Sequence, residues 1–314
     1  MTHASLTQAR PVGWTQPEAP ASSMRESFAQ TTARLLDEDL SVVLVLADIS
    51  AGYFVEAAAR HPERVINVGI REQLAINVGA GLALAGMRPV VHTFAPFLVE
   101  RGFEQIKLGF GHQGVAGVLV SAGASYDNST SGRTHQSPSD VALLDTLPGW
   151  TIHVPGHPDE LSALLSSAVM GAGCVYLRSS TRCNATASPT GRMHVVTRGA
   201  RGTVVAVGPT LDATLAASDG LDLTVLYAAT VRPFDKATLA ETLTAPDVIL
   251  VEPYAAGTSA AEVADALLHV RHRLLSLGVP RLELRRYGTP AEHDAAYGLD
   301  AVGLRRSFVS FLHG

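Results

Sequence analysis

The segment 67–107 reads NVGIREQLAINVGAGLALAGMRPVVHTFAPFLVERGFEQIK, and it decides the fold that the sequence predicts. A short apolar run ends near Val68, Gly69 allows a turn, and a helix begins near Arg71. The stretch after Glu72 is uncharged and rich in small residues, which predicts a buried helix. Glu72 then lies in the first helical turn, where the helix dipole favours its charge and burial opposes it. Taken alone, such a carboxylate is also explained as a simple helix-terminus acid or as a partner of Arg71.

Short apolar runs alternate with longer helix-like stretches on both sides of this segment. Continuous Val, Ile and Leu runs are typical of parallel strands that are covered on both faces. The runs of the first half are 42–47, 65–68, 89–92, 118–121, 151–154 and 174–177. Those of the second half are 203–208, 223–227, 248–251 and 281–286. The pattern predicts an α/β protein with two doubly wound domains, whose mostly parallel sheets carry helices on both faces.

Helical spacing and composition divide the chain further. The predicted helices include 24–36, 212–218, 236–243, 259–277 and 302–312. The polar residues 1–22 predict a flexible N-terminal tail, and the polar, Gly- and Arg-rich stretch 186–201 predicts a linker. The two domains would then occupy residues 23–185 and 202–314.

The composition excludes several classes of protein. Apolar residues make up 46% and charged residues 17% of the 314 residues, which is enough to bury two cores. The net charge of -5 argues against a nucleic-acid partner, and no apolar run is long enough to span a membrane. The two cysteines, Cys174 and Cys183, suit a reducing compartment, and residues 1–22 lack the apolar centre of a signal peptide. We therefore expect a cytoplasmic protein.

The motifs around Glu72 resemble those of the transketolase superfamily, which includes deoxyxylulose-phosphate synthases and the β subunits of 2-oxoacid dehydrogenases. The stretches GIREQ at 69–73, TFAPF at 93–97 and RGFEQI at 101–106 match its pyrimidine-binding domain in order and spacing. Further along, VRPFD at 231–235 and VEP at 251–253 resemble its C-terminal domain. The resemblance covers about residues 24–314.

The resemblance implies thiamine diphosphate as the cofactor. Glu72 would bind the N1′ atom of the aminopyrimidine ring and activate the cofactor through proton exchange there. Phe94 and Phe97 would pack against the ring, with Phe97 favoured as the stacking residue, although ordinary core packing also explains each phenylalanine. The residues implied in cofactor binding are Asp48, Ile70, Glu72, Phe94, Phe97 and Arg101.

The loop 121–147 supplies the predicted substrate end of the site. His135, in the stretch THQ, matches a family histidine that contacts the substrate, and it is the second catalytic candidate after Glu72. His92, Arg133 and Arg182 are the other predicted substrate contacts. The family places an acidic residue and a proline in the run before this histidine, whereas 128–133 reads NSTSGR here. The usual sugar-phosphate ligands are therefore incomplete, which predicts an unphosphorylated ketose or a different group bound by Arg133 or Arg182.

The family binds Mg²⁺ and the diphosphate through a Gly-Asp-Gly motif, which this sequence lacks. The resemblance therefore implies a separate diphosphate-binding subunit that carries this motif and holds both groups, with no metal ligand in this chain. An α2β2 assembly, self-association of this chain and small sugar substrates are expected.

The leading prediction is a subunit of a split transketolase, which transfers a two-carbon ketol unit from a ketose to an aldose or aldehyde. Two relatives in the superfamily remain open: a 2-oxoacid dehydrogenase β subunit, favoured by QSP at 136–138, and a deoxyxylulose-phosphate-synthase-like carboligase. A non-catalytic scaffold is disfavoured by Glu72. A Schiff-base enzyme is disfavoured because Lys107 falls within a helix of the family motif. His269 and His272 are expected on a solvated helix face.

Overall fold

Residues 21–313 are described by the computed structural model, and they form a seven-stranded and a five-stranded sheet. The strands are β1 (Val42–Leu46), β2 (Val65–Asn67), β3 (Arg88–Phe94), β4 (Val118–Ala122), β5 (Trp150–His153), β6 (Cys174–Arg178), β7 (His194–Thr197), β8 (Thr203–Val207), β9 (Thr224–Ala228), β10 (Thr230–Arg232), β11 (Asp247–Ala255) and β12 (Arg273–Val279). Residues 1–20 of the predicted tail lie outside the described range.

The helices alternate with these strands. They are α1 (Met24–Glu38), α2 (Val55–Arg60), α3 (Glu72–Leu84), α4 (Phe103–Gln105), α5 (Asp140–Leu144), α6 (Pro158–Met170), α7 (Leu211–Ser218), α8 (Lys236–Thr242), α9 (Ala260–Ala266), α10 (Pro290–Tyr297) and α11 (Ala301–His313). Two π-helical turns, Pro96–Arg101 and Ile106–His112, flank α4. Short 3-10 turns include Ala51–Phe54, Ser129–Ser131 and Arg133–His135.

Both sheets are parallel except for one edge strand each. The first has the order β10-β5-β6-β4-β3-β1-β2, with β10 antiparallel to β5, and the second has the order β12-β11-β8-β9-β7, with β7 antiparallel to β9. All of β1 is buried, and its alternate residues point to opposite faces of the sheet. Leu44 packs in the core cluster on one face and Val45 in the cluster on the other. The predicted α/β class with two doubly wound, mostly parallel sheets is confirmed.

Two predicted elements of the second half are wrong. The helix predicted at 259–277 ends at Ala266, and Arg273–Val279 forms the edge strand β12, which pairs with β11. Short apolar runs do not distinguish helix from strand by periodicity, and Gly278 here lets β12 approach the Tyr254 carbonyl closely. The predicted strand 281–286 is irregular, because its Leu284 packs on Tyr126 instead of joining a sheet.

The stretch 186–201, predicted as a linker, contains β7, which adds to the second sheet. Strand β10 comes from the second half of the chain, but it pairs with β5 of the first sheet. Arg232 at its end forms two hydrogen bonds to the Asp145 carboxylate, at 2.6 and 2.7 Å. The two halves are therefore joined by strand pairing as well as by side chains.

Helix α3 offers a matched test of this packing. A Cβ on Gly79 would lie 2.5 Å from Val91 Cγ2 on β3, whereas one on Gly81 would meet open space. We expect Gly79→Ala to destabilise the protein by about 1–3 kcal/mol through overpacking. Gly81→Ala should stabilise it by about 0.5–1 kcal/mol, because alanine favours the helix. Chemical denaturation of each variant measures both effects, and equal values would contradict the close α3–β3 packing.

Candidate functional site

The candidate site lies where four neighbouring parallel strands of the first sheet end. In spatial order these are β4, β3, β1 and β2, and their carboxyl ends lead into Gly123, Phe94, Asp48 and Gly69. Loops at the carboxyl ends of parallel strands meet at one edge, which is where α/β sheets bind ligands. Sequence-distant residues thus converge on one edge of the sheet.

Glu72 is the first residue of α3 and is 2% exposed. Arg101 Nη1 donates a hydrogen bond of 2.9 Å to its Oε2 atom. The other oxygen, Oε1, makes no hydrogen bond to any residue in the range 21–313. The sequence placed Arg71 as a possible partner of this carboxylate, but the ion pair is formed by Arg101, from the turn after β3. One carboxylate oxygen is thereby fixed and the other stays available.

An aromatic cluster lies beside this carboxylate. The rings of Phe94, Phe97 and His135 form three edge-to-face pairs, with centroids 6.2 Å apart for the phenylalanines and 5.7 and 5.1 Å from each of them to His135. The Arg101 guanidinium lies over Phe97 at 4.3 Å, so it contacts Glu72 and the cluster together. Phe97 stands on a π-helical turn, a geometry that often occurs at functional sites. The predicted Phe94, Phe97, Arg101 and His135 are thus brought together.

Two strained residues follow β1. Asp48 and Ser50 have φ angles of 68° and 66°, which are costly for residues other than glycine and which cluster at functional sites. Asn67 stabilises this turn: its Oδ1 accepts hydrogen bonds of 3.0 Å from the main-chain N–H groups of Asp48 and Gly69. Asn67 therefore couples the turn that carries Asp48 to the turn that leads into Ile70. The sequence analysis missed this asparagine, although its place between a strand and a glycine is a typical turn signal.

His92 lies in a different place from the one expected of a substrate contact. It is 1% exposed, stacks near Phe28 and points both ring nitrogens at partners inside the protein. Its Nδ1–H donates to the Val120 carbonyl and its Nε2 accepts from the Ser50 hydroxyl, both at 2.8 Å. His92 therefore supports the strained turn at Ser50, and we remove it from the substrate contacts.

Arg25, in the first turn of α1, is a residue that the sequence analysis missed. Its Nε donates to the Ser50 hydroxyl at 2.8 Å, and its guanidinium lies 5.6 Å from the Phe94 ring and 5.9 Å from the Tyr53 ring. It forms no ion pair within residues 21–313. A cation in the first turn opposes the helix dipole, and that conflict is the signal which could have identified Arg25 from sequence.

The loop that carries His135 is held by a buried ion pair. Arg178 Nε donates to Asp140 Oδ2 at 2.7 Å, and Tyr176 donates to the same oxygen at 2.7 Å. Arg178 also donates to the hydroxyl of Ser125, which in turn donates to the Pro253 carbonyl in the second half. These contacts fix the start of the loop and the second sheet to the last residue of β6 and the first residue of α5.

The two arginines predicted to bind substrate are engaged elsewhere. Arg182 Nη1 donates to Asp294 at 2.8 Å, and its guanidinium stacks on Tyr126 at 5.1 Å. Arg133 pairs with Glu283 at 3.2 Å and donates to the Gln136 carbonyl at 2.9 Å. Both side chains tie the loop to the second half. Arg182 is removed from the proposed substrate contacts, whereas the exposed Arg133 still borders the cavity of about 410 Å³ beside Phe97.

The site fits the aminopyrimidine end of a thiamine cofactor. Glu72 Oε1 is a free acceptor in a buried position, Phe97 offers an aromatic surface, and Ile70, 74% exposed, offers an apolar one next to them. No group of three or more His, Cys, Asp or Glu residues between 21 and 313 is arranged to hold a metal ion. Within the same range, no helix is long and apolar enough to cross a membrane.

Residues 21–184 match the family described as the pyrimidine-binding domain of transketolase. That span is more than half of the chain, and it contains Glu72, Arg101 and the cluster of Phe94, Phe97 and His135. The chain therefore belongs to the transketolase pyrimidine-binding domain family.

Two relatives place the chain within that family. The uncharacterized 33.6 kDa protein in the fasciation locus of Rhodococcoides fascians is 52% identical over 297 residues, which are 93% of this chain and 95% of that protein. The 1-deoxy-D-xylulose-5-phosphate synthase of Bordetella avium is 33% identical over 267 residues, which are 81% of this chain. The aligned part is only 42% of that synthase, so this chain spans less than half of its length.

Solved structures agree with the fold. A split-gene transketolase, described as an inactive β4 tetramer, superposes with a TM-score of 0.81 at 26% identity and covers 93% of this chain and 98% of its own. The transketolase of Campylobacter jejuni superposes with a TM-score of 0.76 at 17% identity, over 92% of this chain and 46% of that enzyme. The second likeness shows the fold alone.

The buried histidine gives a test of the site's supporting structure. Burial lowers the pKa of His92 to about 3, against a smaller opposing effect of its hydrogen bond to Val120. The unfolded chain binds this proton below about pH 6.5 and the folded chain does not, so stability is lost as the pH falls from about 6.5 towards 3. We expect the Tm of the wild type to fall more steeply between about pH 7 and pH 5 than that of His92→Gln. The exposed His112→Gln is the control, and parallel profiles for the wild type and His92→Gln would refute the buried neutral state.

Proposed function

We propose that this chain is one subunit of a two-component, thiamine-diphosphate-dependent transketolase. It would transfer a two-carbon ketol unit from a ketose to an aldose or aldehyde, and only together with a separate subunit that holds the diphosphate and Mg²⁺. The observation that carries the proposal is the buried Glu72, which has one oxygen fixed by Arg101 at 2.9 Å and the other free. A carboxyl group in such a place can exchange a proton with a ring nitrogen of a bound cofactor.

When bound, thiamine diphosphate supplies a carbon nucleophile and an electron sink. In this proposal Glu72 holds the aminopyrimidine at N1′ and moves the proton there. Phe97 packs on the ring, Ile70 excludes water from one side, and Arg101 keeps the Glu72 carboxylate oriented. His135, half-buried against both phenylalanines, faces the substrate and is positioned to give or take a proton. Asp48 remains a proposed cofactor contact from the strained turn.

The exposed side of α3 supports a partner subunit. The sequence predicted a buried helix, but Leu74 and Leu84 are 43% and 58% exposed, and the exposed Ile70 lies just before the helix in sequence. No charged residue follows Glu72 in α3, and Gly81 on this side leaves room for a close approach. The α3 stripe of exposed apolar residues begins at the residues that would hold the cofactor, so we assign it to the diphosphate-binding subunit, which must reach the same cofactor.

Further support comes from the extent of the relatives. The split-gene transketolase chain matches this chain over 98% of its own length, and it is described as an inactive β4 tetramer. By analogy, we propose that this chain self-associates without its partner into an inactive assembly, and that an α2β2 complex is the active form.

A second candidate is a carboligase like 1-deoxy-D-xylulose-5-phosphate synthase. It is favoured by the sequence relatives, of which the Bordetella avium enzyme is 33% identical. The two functions differ in the donor, which is a ketose for the first and a 2-oxo acid for the second. Assays of the assembled pair separate them, with D-xylulose and D-xylulose 5-phosphate offered as donors to ribose 5-phosphate, and pyruvate offered as donor to glyceraldehyde 3-phosphate.

The role of Glu72 can be tested on a complex of this chain with the proposed diphosphate-binding subunit. The two proteins would be co-expressed from neighbouring reading frames and purified together. We expect Glu72→Gln to lower kcat by about 100-fold or more, because proton exchange at the cofactor is lost. Turnover of the wild-type pair should depend on added thiamine diphosphate and Mg²⁺. Glu56→Gln, which changes another first-turn acid on the exposed helix α2, is the matched control. Turnover of Glu72→Gln within a few-fold of the wild type would refute the mechanism.

The partner surface can be tested separately. Leu74→Arg and Leu84→Arg place a charge on the α3 stripe, and burying an unpaired charge at an interface is costly. We expect both variants to remain folded and to lose co-purification with the diphosphate-binding subunit. Leu268→Arg is the control, since Leu268 is 70% exposed in the second half. Retention of the partner by both α3 variants would show that this stripe is not the contact surface.

A further inference from the structure

Three polar side chains surround the ring of Phe94, and only His135 among them has a role in the proposed function so far. Arg25 and His135 lie 5.6 and 5.7 Å from that ring. The third is Asn128, from the loop after β4. It is half-buried, and its side-chain amide makes no hydrogen bond within residues 21–313.

The position of Asn128 follows from Gly123. A Cβ placed on Gly123 would lie 2.1 Å from Asn128 Nδ2 and 3.2 Å from Phe94 Cδ1. The amide and the edge of the phenylalanine ring therefore meet over this glycine, which also has a positive φ of 69°. A side chain at position 123 would fill the space in which the Asn128 amide lies against the Phe94 ring.

The neighbours of Asn128 on both sides are fixed. Asp127 is buried and accepts hydrogen bonds from Ser180 Oγ at 3.1 Å and from the Thr181 N–H at 2.9 Å. Ser129 is fully buried and donates its hydroxyl to the Gly288 carbonyl. The loop is thus anchored before and after Asn128, while the amide itself is left unpaired. An amide that is held in place without a partner is available to a ligand.

We propose that Asn128 is a substrate-binding residue whose amide contacts an uncharged oxygen of the substrate, a hydroxyl or the carbonyl. The proposal rests on the proposed function, because it places the substrate over Phe94 next to His135. An amide offers a donor and an acceptor without charge, so it discriminates by hydrogen bonding and leaves any anionic group of the substrate to Arg25. Asn128 lies in the run 128–133 that departs from the family pattern. The proposed contact with an uncharged substrate oxygen is therefore a feature of this chain.

The test uses the co-purified pair with D-xylulose and D-xylulose 5-phosphate as donors. We expect Asn128→Ala to lower kcat/KM by roughly tenfold or more for both ketoses, since each presents the same hydroxyl and carbonyl oxygens near the reacting carbon. The thiamine diphosphate concentration for half-activation should stay unchanged. Asn128→Asp keeps the shape over Gly123, but it exchanges the N–H donor for a second acceptor oxygen and adds a negative charge. Thr130→Val, an exposed change in the same loop, is the control and should retain wild-type kinetics.

Each outcome is decisive. Unchanged kcat/KM for Asn128→Ala, with full turnover of the wild-type pair, overturns the role of Asn128 and leaves the proposed function standing. An equal loss of cofactor affinity also overturns it, because Asn128 would then act through the cofactor. A loss in Asn128→Ala alone supports a role as acceptor, and a loss in both variants supports a requirement for the uncharged, hydrogen-bond-donating amide. Absence of thiamine-diphosphate-dependent turnover in the wild-type pair with any donor overturns the proposed function and this inference together.

Discussion

The buried ion pair between Arg178 and Asp140 is the interaction on which the loop side of the site depends. Its two side chains are 1% exposed or less, and they join β6 and α5 to the loop after β4 through Ser125. Each of the two buried charges depends on the other for its neutralisation, and removal of one partner from such a pair typically costs about 3–5 kcal/mol. The pair therefore fixes the only segment that brings both His135 and Asn128 to the cluster.

The residues of the candidate site come from two kinds of structure, a regular helix and an irregular loop. Glu72 stands on the first turn of a helix that packs closely on β3, so its position is set by the core of the first sheet. The residues that would face a substrate lie on a loop whose anchors include two carbonyl groups of the second half. In the proposed function, the cofactor and the substrate would thus be bound by differently supported parts of the chain. Loop residues can then change without disturbing Glu72.

Much of the fold was predictable because parallel strands that are buried on both faces give continuous apolar runs, as in Val42–Leu46. The edge strands β7, β10 and β12 were not. Strand β10 pairs with β5 of the other half and β7 is short, whereas the apolar run of β12 is equally compatible with a helix. At the site, Phe94, Phe97, Arg101 and His135 were placed near Glu72 from motif order. His92 and Arg182 form hydrogen bonds to other residues of the chain, and sequence alone does not reveal such internal partners. Asn67 and Asn128 escaped notice because their roles arise from turns and from a neighbouring glycine.

The short strand β10 gives the chain a property that neither sheet has alone. It leaves the second half, pairs with β5 and covers the edge of the first sheet. A chain cut between the halves would expose the hydrogen-bonding groups of β5, and an uncovered edge strand is a template for aggregation. The pyrimidine-binding half is therefore poorly suited to being transferred by recombination without the second half. An exchange of parts that preserves the fold has to carry both halves as one piece.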